Sequence, residues 1–202
     1  LGRRLVVWLY DVSASRYDSI KQFDRDSESF FVTRPLLARL ASGPAPVVLD
    51  VATGTGRLPH FLLEEAIFNG RVIGLDPSAR MLSYAQDKLR SYRHRASLVQ
   101  QTAADLPFND DTFAAVTCLE SLEFFPDDSI ALREMFRVLQ PGGTNLTTRR
   151  RGWEGKPFIG RDRNRESFAA HLETLGFAGV ETQPWQIEYD LVFARKPENF
   201  AA

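Results

Sequence analysis

The fold of this chain is decided by the stretch Val47-Val-Leu-Asp-Val-Ala-Thr-Gly-Thr-Gly56. An apolar, β-branched run of this kind predicts a buried strand, and the glycine-rich turn after it opens a helix. Gly54 and Gly56 allow the chain to turn tightly and bring bare backbone amides against a ligand, while the helix adds the positive end of its dipole. The stretch therefore predicts a strand–turn–helix unit that can hold a ligand at its turn.

Short apolar segments and helical patterns alternate through the rest of the chain. Strands are predicted at 47–50, 71–76, 97–101, 113–118, 144–148, 180–184 and 187–195. The connection between the last two is too short for a parallel crossover, so these strands must pair antiparallel. Helices are predicted between the earlier strands, one with Ser78 as its N-cap, and this alternation indicates an α/β fold with a parallel sheet.

The N-terminal third has a different pattern. Residues 1–10 are basic and then apolar, as in a secretory signal, but Asp11 interrupts the apolar run, so we expect an amphipathic helix. Such a helix also permits peripheral contact with a membrane. A second helix is predicted to begin at Thr33, ahead of Pro35. We divide the chain into an N-terminal helical cover, 1–45, and a ligand-binding domain, 46–196.

Composition excludes several classes of protein. The 202 residues carry 25 Lys and Arg against 26 Asp and Glu, a formal charge of -1, so no global field holds nucleic acid. Residues 149–166 have a local excess of basic residues and two aromatic rings; they fit either a solvated loop or a site for phosphates and bases. A single cysteine, Cys118, allows no internal disulfide and no multi-cysteine metal site. We expect a cytoplasmic protein without a metal, whose partner is a small molecule.

Asp76 stands at the end of the second predicted strand, where a carboxylate can accept hydrogen bonds from a ribose diol; it also fits a simple turn with Pro77. A dinucleotide site needs a small residue three positions after Gly56, and this chain has Pro59. The motif from Asp50 instead resembles motif one of the class I S-adenosylmethionine-dependent methyltransferases, with Ala52 in place of the first glycine.

The resemblance continues through residues 47–148, over the segments that begin at Ile73, Gln101, Asp111 and Arg133. It implies a Rossmann-like three-layer sandwich, with a seven-stranded, mostly parallel sheet whose last strand is antiparallel. It also implies S-adenosyl-L-methionine as the cofactor. The implied cofactor-binding residues are Asp50, Ala52, Thr53, Gly54, Gly56, Asp76, Pro77, Met81, Ala104, Asp105, Leu106, Leu119 and Glu120.

The resemblance implies transfer of a methyl group to a small-molecule acceptor, as in the methyltransferases of ubiquinone and menaquinone biosynthesis. Because methyl transfer needs mainly orientation and exclusion of water, the family has no shared catalytic triad. Glu120, Glu123 and Tyr17 are the candidates for a catalytic role. Two alternatives stay open at this point: a phospholipid or lipid-head-group methyltransferase, and a protein that binds S-adenosylmethionine without turnover.

Overall fold

A seven-stranded sheet lies at the centre of the computed structural model, which describes residues 25–40, 45–151 and 164–198. Its strands are β1 (Val47–Val51), β2 (Arg71–Asp76), β3 (Ala96–Gln100), β4 (Phe113–Cys118), β5 (Leu139–Arg150), β6 (Ala178–Pro184) and β7 (Tyr189–Arg195). They are ordered β3-β2-β1-β4-β5-β7-β6, and only β7 is antiparallel to its neighbours. The predicted sheet is confirmed, including its antiparallel last strand.

Helices cover both faces of the sheet. They are α1 (Arg25–Glu28), α2 (Arg34–Arg39), α3 (Arg57–Glu64), α4 (Ala79–Lys88), α5 (Asp128–Val138) and α6 (Arg165–Thr174). Neighbouring residues of one strand point to opposite faces. Accordingly, Val48 packs in a core layer with α2 and α3, and Leu49 packs in a second layer with α5 and α6. The predicted three-layer α/β sandwich is therefore present.

The N-terminal helical segment begins earlier than the sequence predicted. Its first described residues, Arg25–Glu28, are already helical, and a π-helical turn over Ser29–Thr33 connects α1 to α2. The helix predicted from Thr33 is present as α2, with Thr33 as its N-cap and Pro35 in its first turn; the sequence did not predict the helical residues ahead of it. Proline lacks an N–H and crowds the carbonyl four residues before it, and the wide π turn just ahead of Pro35 accommodates both effects. The helix predicted at 1–10 lies outside the described residues, and the division at residue 45 stays a prediction.

The boundary between α5 and β5 also differs from the prediction. The sequence placed a helix-ending turn at 141–143 and a strand at 144–148, whereas β5 already pairs with β4 at Leu139. The pairing then shifts, so that Thr144 lies opposite Ala115. A Cβ on Gly143 would lie 2.8 Å from the carbonyl oxygen of Gln140. The glycines therefore form an irregularity within one long strand rather than a separate turn.

Strand order reverses between β1 and β4, because β2 and β3 lie on one side of β1 and β5 lies beyond β4. In open α/β sheets the crevice at the carboxyl ends of such strands is where ligands bind. None of the helices in the described part of the chain is long and apolar enough to cross a membrane.

Lys196 stabilises the end of α5 from beyond β7. Its buried Nζ donates to the carbonyl oxygens of Phe136 at 3.1 Å and Arg137 at 3.3 Å, and to Asp111 Oδ1 at 2.6 Å. A cation at a helix C-terminus also interacts favourably with the helix dipole.

We expect Lys196→Met to lower the free energy of unfolding by about 1 to 3 kcal/mol, because it removes the buried ammonium that donates to both carbonyl groups and to Asp111. Urea denaturation followed by circular dichroism measures the change. Arg195→Gln, at the exposed neighbouring position, is the control and should alter stability by less than about 0.5 kcal/mol. Equal midpoints for the two variants would contradict this account of the helix end.

Candidate functional site

A cavity of about 230 Å³ lies at the carboxyl ends of β1, β2 and β4. The turn after β1 forms one wall, and the end of β2 with the first turn of α4 forms the next. The loop after β3 and the segment from Leu119 to Ala131 complete it. The cavity therefore lies at the point where strand order reverses.

The glycine-rich turn has a left-handed backbone at three positions: φ is 56° at Ala52, 55° at Gly54 and 76° at Gly56. The two glycines serve different purposes. A Cβ on Gly54 would have no atom within 4 Å, whereas one on Gly56 would lie 3.1 Å from the Cβ of Ala85. Gly54 therefore keeps the cavity open, and Gly56 lets α3 and α4 pack closely.

Asp76 joins this turn to the next strand. Its Oδ2 accepts a hydrogen bond from the backbone N–H of Gly54 at 2.9 Å, and its Oδ1 accepts from the N–H of Ser78 at 2.9 Å. The hydroxyl of Ser78 in turn accepts from the N–H of Met81 at 3.0 Å, which confirms the predicted N-cap. Asp76 thus makes the turn with Pro77 and also lines the cavity.

Asp50 is buried at the end of β1. Its two oxygens accept hydrogen bonds from the hydroxyls of Thr53 at 2.7 Å and Thr117 at 2.6 Å. Burial raises the pKa of Asp50 to about 6, against the two threonine hydrogen bonds and Arg57, which lower it; Asp76 raises it further. A carboxylate held in this way is more stable with a cation beside it.

Most of the residues that the resemblance implies for the cofactor meet at this cavity. Nine of them line it: Asp50, Ala52, Thr53, Gly54, Asp76, Pro77, Met81, Ala104 and Leu119. Gly56, Asp105, Leu106 and Glu120 are not among its lining residues. Asp105 is exposed, and the N–H of Leu106 donates to Glu134 at 2.9 Å, so a cofactor contact at these two positions stays a prediction.

The three candidates for a catalytic role are placed differently. The carboxylate of Glu120 accepts from Arg57 at 2.9 Å and from Gln186 at 3.3 Å. Glu123 accepts from the hydroxyl of Tyr189, and its pKa is raised chiefly by burial. Both carboxylates are therefore held by neighbours and lie outside the cavity lining, while Tyr17 lies outside the described residues.

Sequence reasoning missed Arg57. Its guanidinium lines the cavity and pairs with Glu28 Oε1 at 3.2 Å and Glu120 Oε1 at 2.9 Å, and it lies 5.5 Å from the ring centroid of Trp185. A cation in the first turn of a helix is opposed by the helix dipole. Arginine directly after the glycine turn was thus a signal that acidic partners would be found near it.

The cavity is acidic. Among the described side chains that line it, the charged ones are Asp50, Asp76, Asp127 and Arg57, and Arg57 is already paired with two further carboxylates. Its opposite end is apolar, with Phe124, Phe125 and Ile130 in the wall. A cationic ligand with a flat apolar part suits this distribution.

Residues 48–143 match the family model of a methyltransferase domain. Every described residue that lines the cavity, from Asp50 to Ala131, falls inside that range. This part of the chain is therefore similar to a methyltransferase domain. The matched family agrees with the resemblance seen in the sequence motifs. The order of the strands and the position of the cavity agree with it as well.

Relatives and solved structures extend the comparison. A demethylmenaquinone methyltransferase of Lactiplantibacillus plantarum is 36% identical over 136 residues, which are 66% of this chain and 57% of that protein. The chain spans about half the length of the curated relatives it matches. An Aquifex aeolicus SAM-dependent methyltransferase structure is 18% identical, covers 92% of this chain and 98% of its own, and has a TM-score of 0.72. A solved cyclase, SpnF, is 20% identical over 95% of this chain and 96% of its own, with a TM-score of 0.75. These two structures share the fold.

We expect Asp50→Asn to be more stable than the wild type near pH 7.5, by about 1 to 3 kcal/mol. The pKa of Asp50 is about 6 in the folded protein against 3.8 for the free side chain. Its protonation therefore favours the folded state, and this contribution is complete below about pH 4 and lost as the pH rises through 6. Asparagine stays neutral and keeps partners for both threonines.

Urea denaturation at about pH 4 and pH 7.5 tests this prediction. The gain in stability should be large at the higher pH and small at the lower one. Thr117→Val, which removes a donor to the same carboxylate, should instead lower stability at the higher pH. An Asp50→Asn variant that is less stable than wild type near pH 7.5 would show that the ionised group is well accommodated.

Proposed function

We propose that this domain binds S-adenosylmethionine and transfers its methyl group to a small aromatic acceptor of the hydroquinone class. One observation carries the proposal: all the described residues that line the acidic cavity lie within the segment that matches the methyltransferase family. The cofactor carries a sulfonium and an ammonium group against one carboxylate. Its net positive charge fits a cavity whose described lining has three carboxylates, Asp50, Asp76 and Asp127, and one guanidinium, Arg57.

Each part of the cavity suits one part of this cofactor. Asp76 is placed to accept hydrogen bonds from the ribose hydroxyls, with Gly54 leaving room beside it. Met81, Ala104 and Phe125 offer apolar surface to the adenine ring. Asp50 is the carboxylate for the ammonium group, because it is buried and its raised pKa reports a need for positive charge.

The cofactor supplies an electrophilic methyl group for an in-line displacement. The protein's own residues bind and orient the reactants and exclude water, which contributes up to about 7 to 11 kcal/mol to catalysis. The side chains of Phe124 and Phe125 form an apolar wall of the cavity, which fits an aromatic acceptor better than a polar head group.

The acceptor class is supported by the relatives, whose names give demethylmenaquinone and ubiquinone or menaquinone biosynthesis. The cyclase that shares the fold makes a second function worth testing, since fold by itself does not decide chemistry. We place the activity in the cytoplasm, because the single cysteine, the buried Cys118, suits a reducing compartment.

Asp76→Ala should weaken binding of S-adenosylmethionine by about 100-fold or more, since it removes two charge-assisted hydrogen bonds from the ribose. Titration calorimetry measures the affinity. Asp87→Ala is the matched control, because Asp87 lies on the surface of α4, the helix that follows Asp76, and its exposed carboxylate pairs with Arg90. It should bind like the wild type. No binding by the wild-type protein would contradict the proposal.

Transfer is tested with a methyl-labelled donor and a reduced naphthoquinone that lacks the ring methyl. Label in the ring product supports the proposed function. Donor binding without transfer to any hydroquinone, phenol or amine indicates a role without methyl transfer, as in the cyclase.

A further inference from the structure

Three other parts of the chain meet near the guanidinium of Arg57. Glu28 comes from α1, Glu120 from the residues after β4, and Trp185 from the connection between β6 and β7, where Gln186 donates to Glu120. Arg57 lines the cavity, whereas Glu28 and Glu120 are not among its lining residues. In the proposed function the cluster is therefore next to the bound donor, and an acceptor would have to reach Glu28 past Arg57.

Among the described side chains of this cluster, two carboxylates face one guanidinium. The side chains of Glu28 and Glu120 are only 4% and 2% exposed. Burying an uncompensated carboxylate is costly unless it gains a proton or a donor. In keeping with this, burial raises the pKa of Glu28, against the effect of Arg57, and Glu120 raises it further.

One oxygen of Glu28 remains for a ligand. Arg57 holds Oε1, whereas Oε2 is buried and has no hydrogen-bond partner among residues 25–40, 45–151 and 164–198. Buried polar atoms are almost always hydrogen-bonded, so an exception in a native structure points to a functional use. A ligand that enters beside Arg57 and offers a hydroxyl group would supply the missing donor.

The backbone around the cluster departs from regular structure at two places. The π-helical turn begins directly after Glu28, and Glu120 has a φ of 53°, in the left-handed region. π turns and non-glycine residues with positive φ occur often at functional sites, where neighbouring structure keeps them in place. One irregularity thus directly follows Glu28 and the other is at Glu120, the two residues whose carboxylates pair with Arg57.

We propose that Glu28 is a catalytic residue that takes the proton from a hydroxyl group of the acceptor. This role rests on the proposed function. The step begins with transfer of the hydroxyl proton of the acceptor to Glu28 Oε2. The electron pair left on oxygen activates the ring, a ring carbon forms the new bond to the methyl group, and the sulfur keeps the electrons of the broken C–S bond. Loss of the ring proton from that carbon to water restores the aromatic system. Arg57 and Glu120 keep Glu28 in place as positioning residues.

Other charged groups near Glu28 act on it from known positions. Arg57 and Glu120 face it directly. On its own helix, Arg25 pairs with Glu64 of α3 at 3.5 Å, and Glu64 lies 3.6 Å from His60. The pH profile is therefore also measured in a His60→Gln background, which removes the imidazole beside Glu64.

Glu28→Gln tests the role, because glutamine keeps an oxygen for Arg57 and loses the base. We expect transfer to a naphthohydroquinone near pH 7 to fall by about 100-fold in kcat, with KM and donor affinity changed less than about twofold. The loss should shrink by about tenfold per pH unit toward the pKa of the acceptor's own hydroxyl, since an ionised acceptor needs no base. A purely structural role would not give this recovery.

Glu65→Gln is the matched control. Glu65 accepts hydrogen bonds from the hydroxyls of Ser29 and Thr33 and so joins the same helical segment to the end of α3. It should transfer methyl groups like the wild type. If Glu28→Gln does not fold, Glu28→Ala with added formate replaces it: recovery of the rate supports the role, and no recovery overturns it.

The possible failures are distinguishable. Wild-type protein that binds the donor but methylates no hydroquinone contradicts the proposed function and this role together. Wild-type transfer with an undiminished rate in Glu28→Gln contradicts the role of Glu28 alone, as does a loss that is the same at every pH.

Discussion

Two carboxylates, those of Asp50 and Asp76, are buried at the carboxyl ends of adjacent strands, and the surrounding structure exists to keep them there. Threonine hydroxyls donate to Asp50, and backbone N–H groups donate to Asp76. These hydrogen bonds require the left-handed turn at Gly54 and the capped start of α4. Two buried carboxylates arranged in this way favour a cationic ligand beside them.

Burying the carboxylate of Asp50 costs free energy, and for this reason its pKa is raised to about 6. Such a carboxylate lowers the stability of the empty protein at neutral pH and favours binding of a cation. Stability and ligand binding are therefore opposed at this residue, as is common where a site is prepared for its ligand.

Arg57 connects the cofactor side of the cavity to parts of the chain that are far away in sequence. Without it, Glu28 and Glu120 would be two buried like charges, and the N-terminal helix would have no charged contact with the end of β4. The fold is shared with a methyltransferase and with a cyclase, so the chemistry must be decided by clusters of this kind rather than by the sheet.

The sequence by itself determined the order of strands and helices, the turn at Gly54 and Gly56, and nine of the residues that line the cavity. These follow from local patterns: β-branched runs, glycines at positions of positive φ, a capping serine, and motifs of fixed spacing. The strand predicted at 144–148 and the helix predicted from Thr33 are present, but the early start of β5 at Leu139 and the π turn before α2 were missed, because both depend on neighbours that no local pattern reports. Only the tertiary structure decided the partners of Arg57 and the unpartnered oxygen of Glu28. These groups are 29 and 63 residues away from Arg57 along the chain, and only packing of the helix against the sheet brings their charges together.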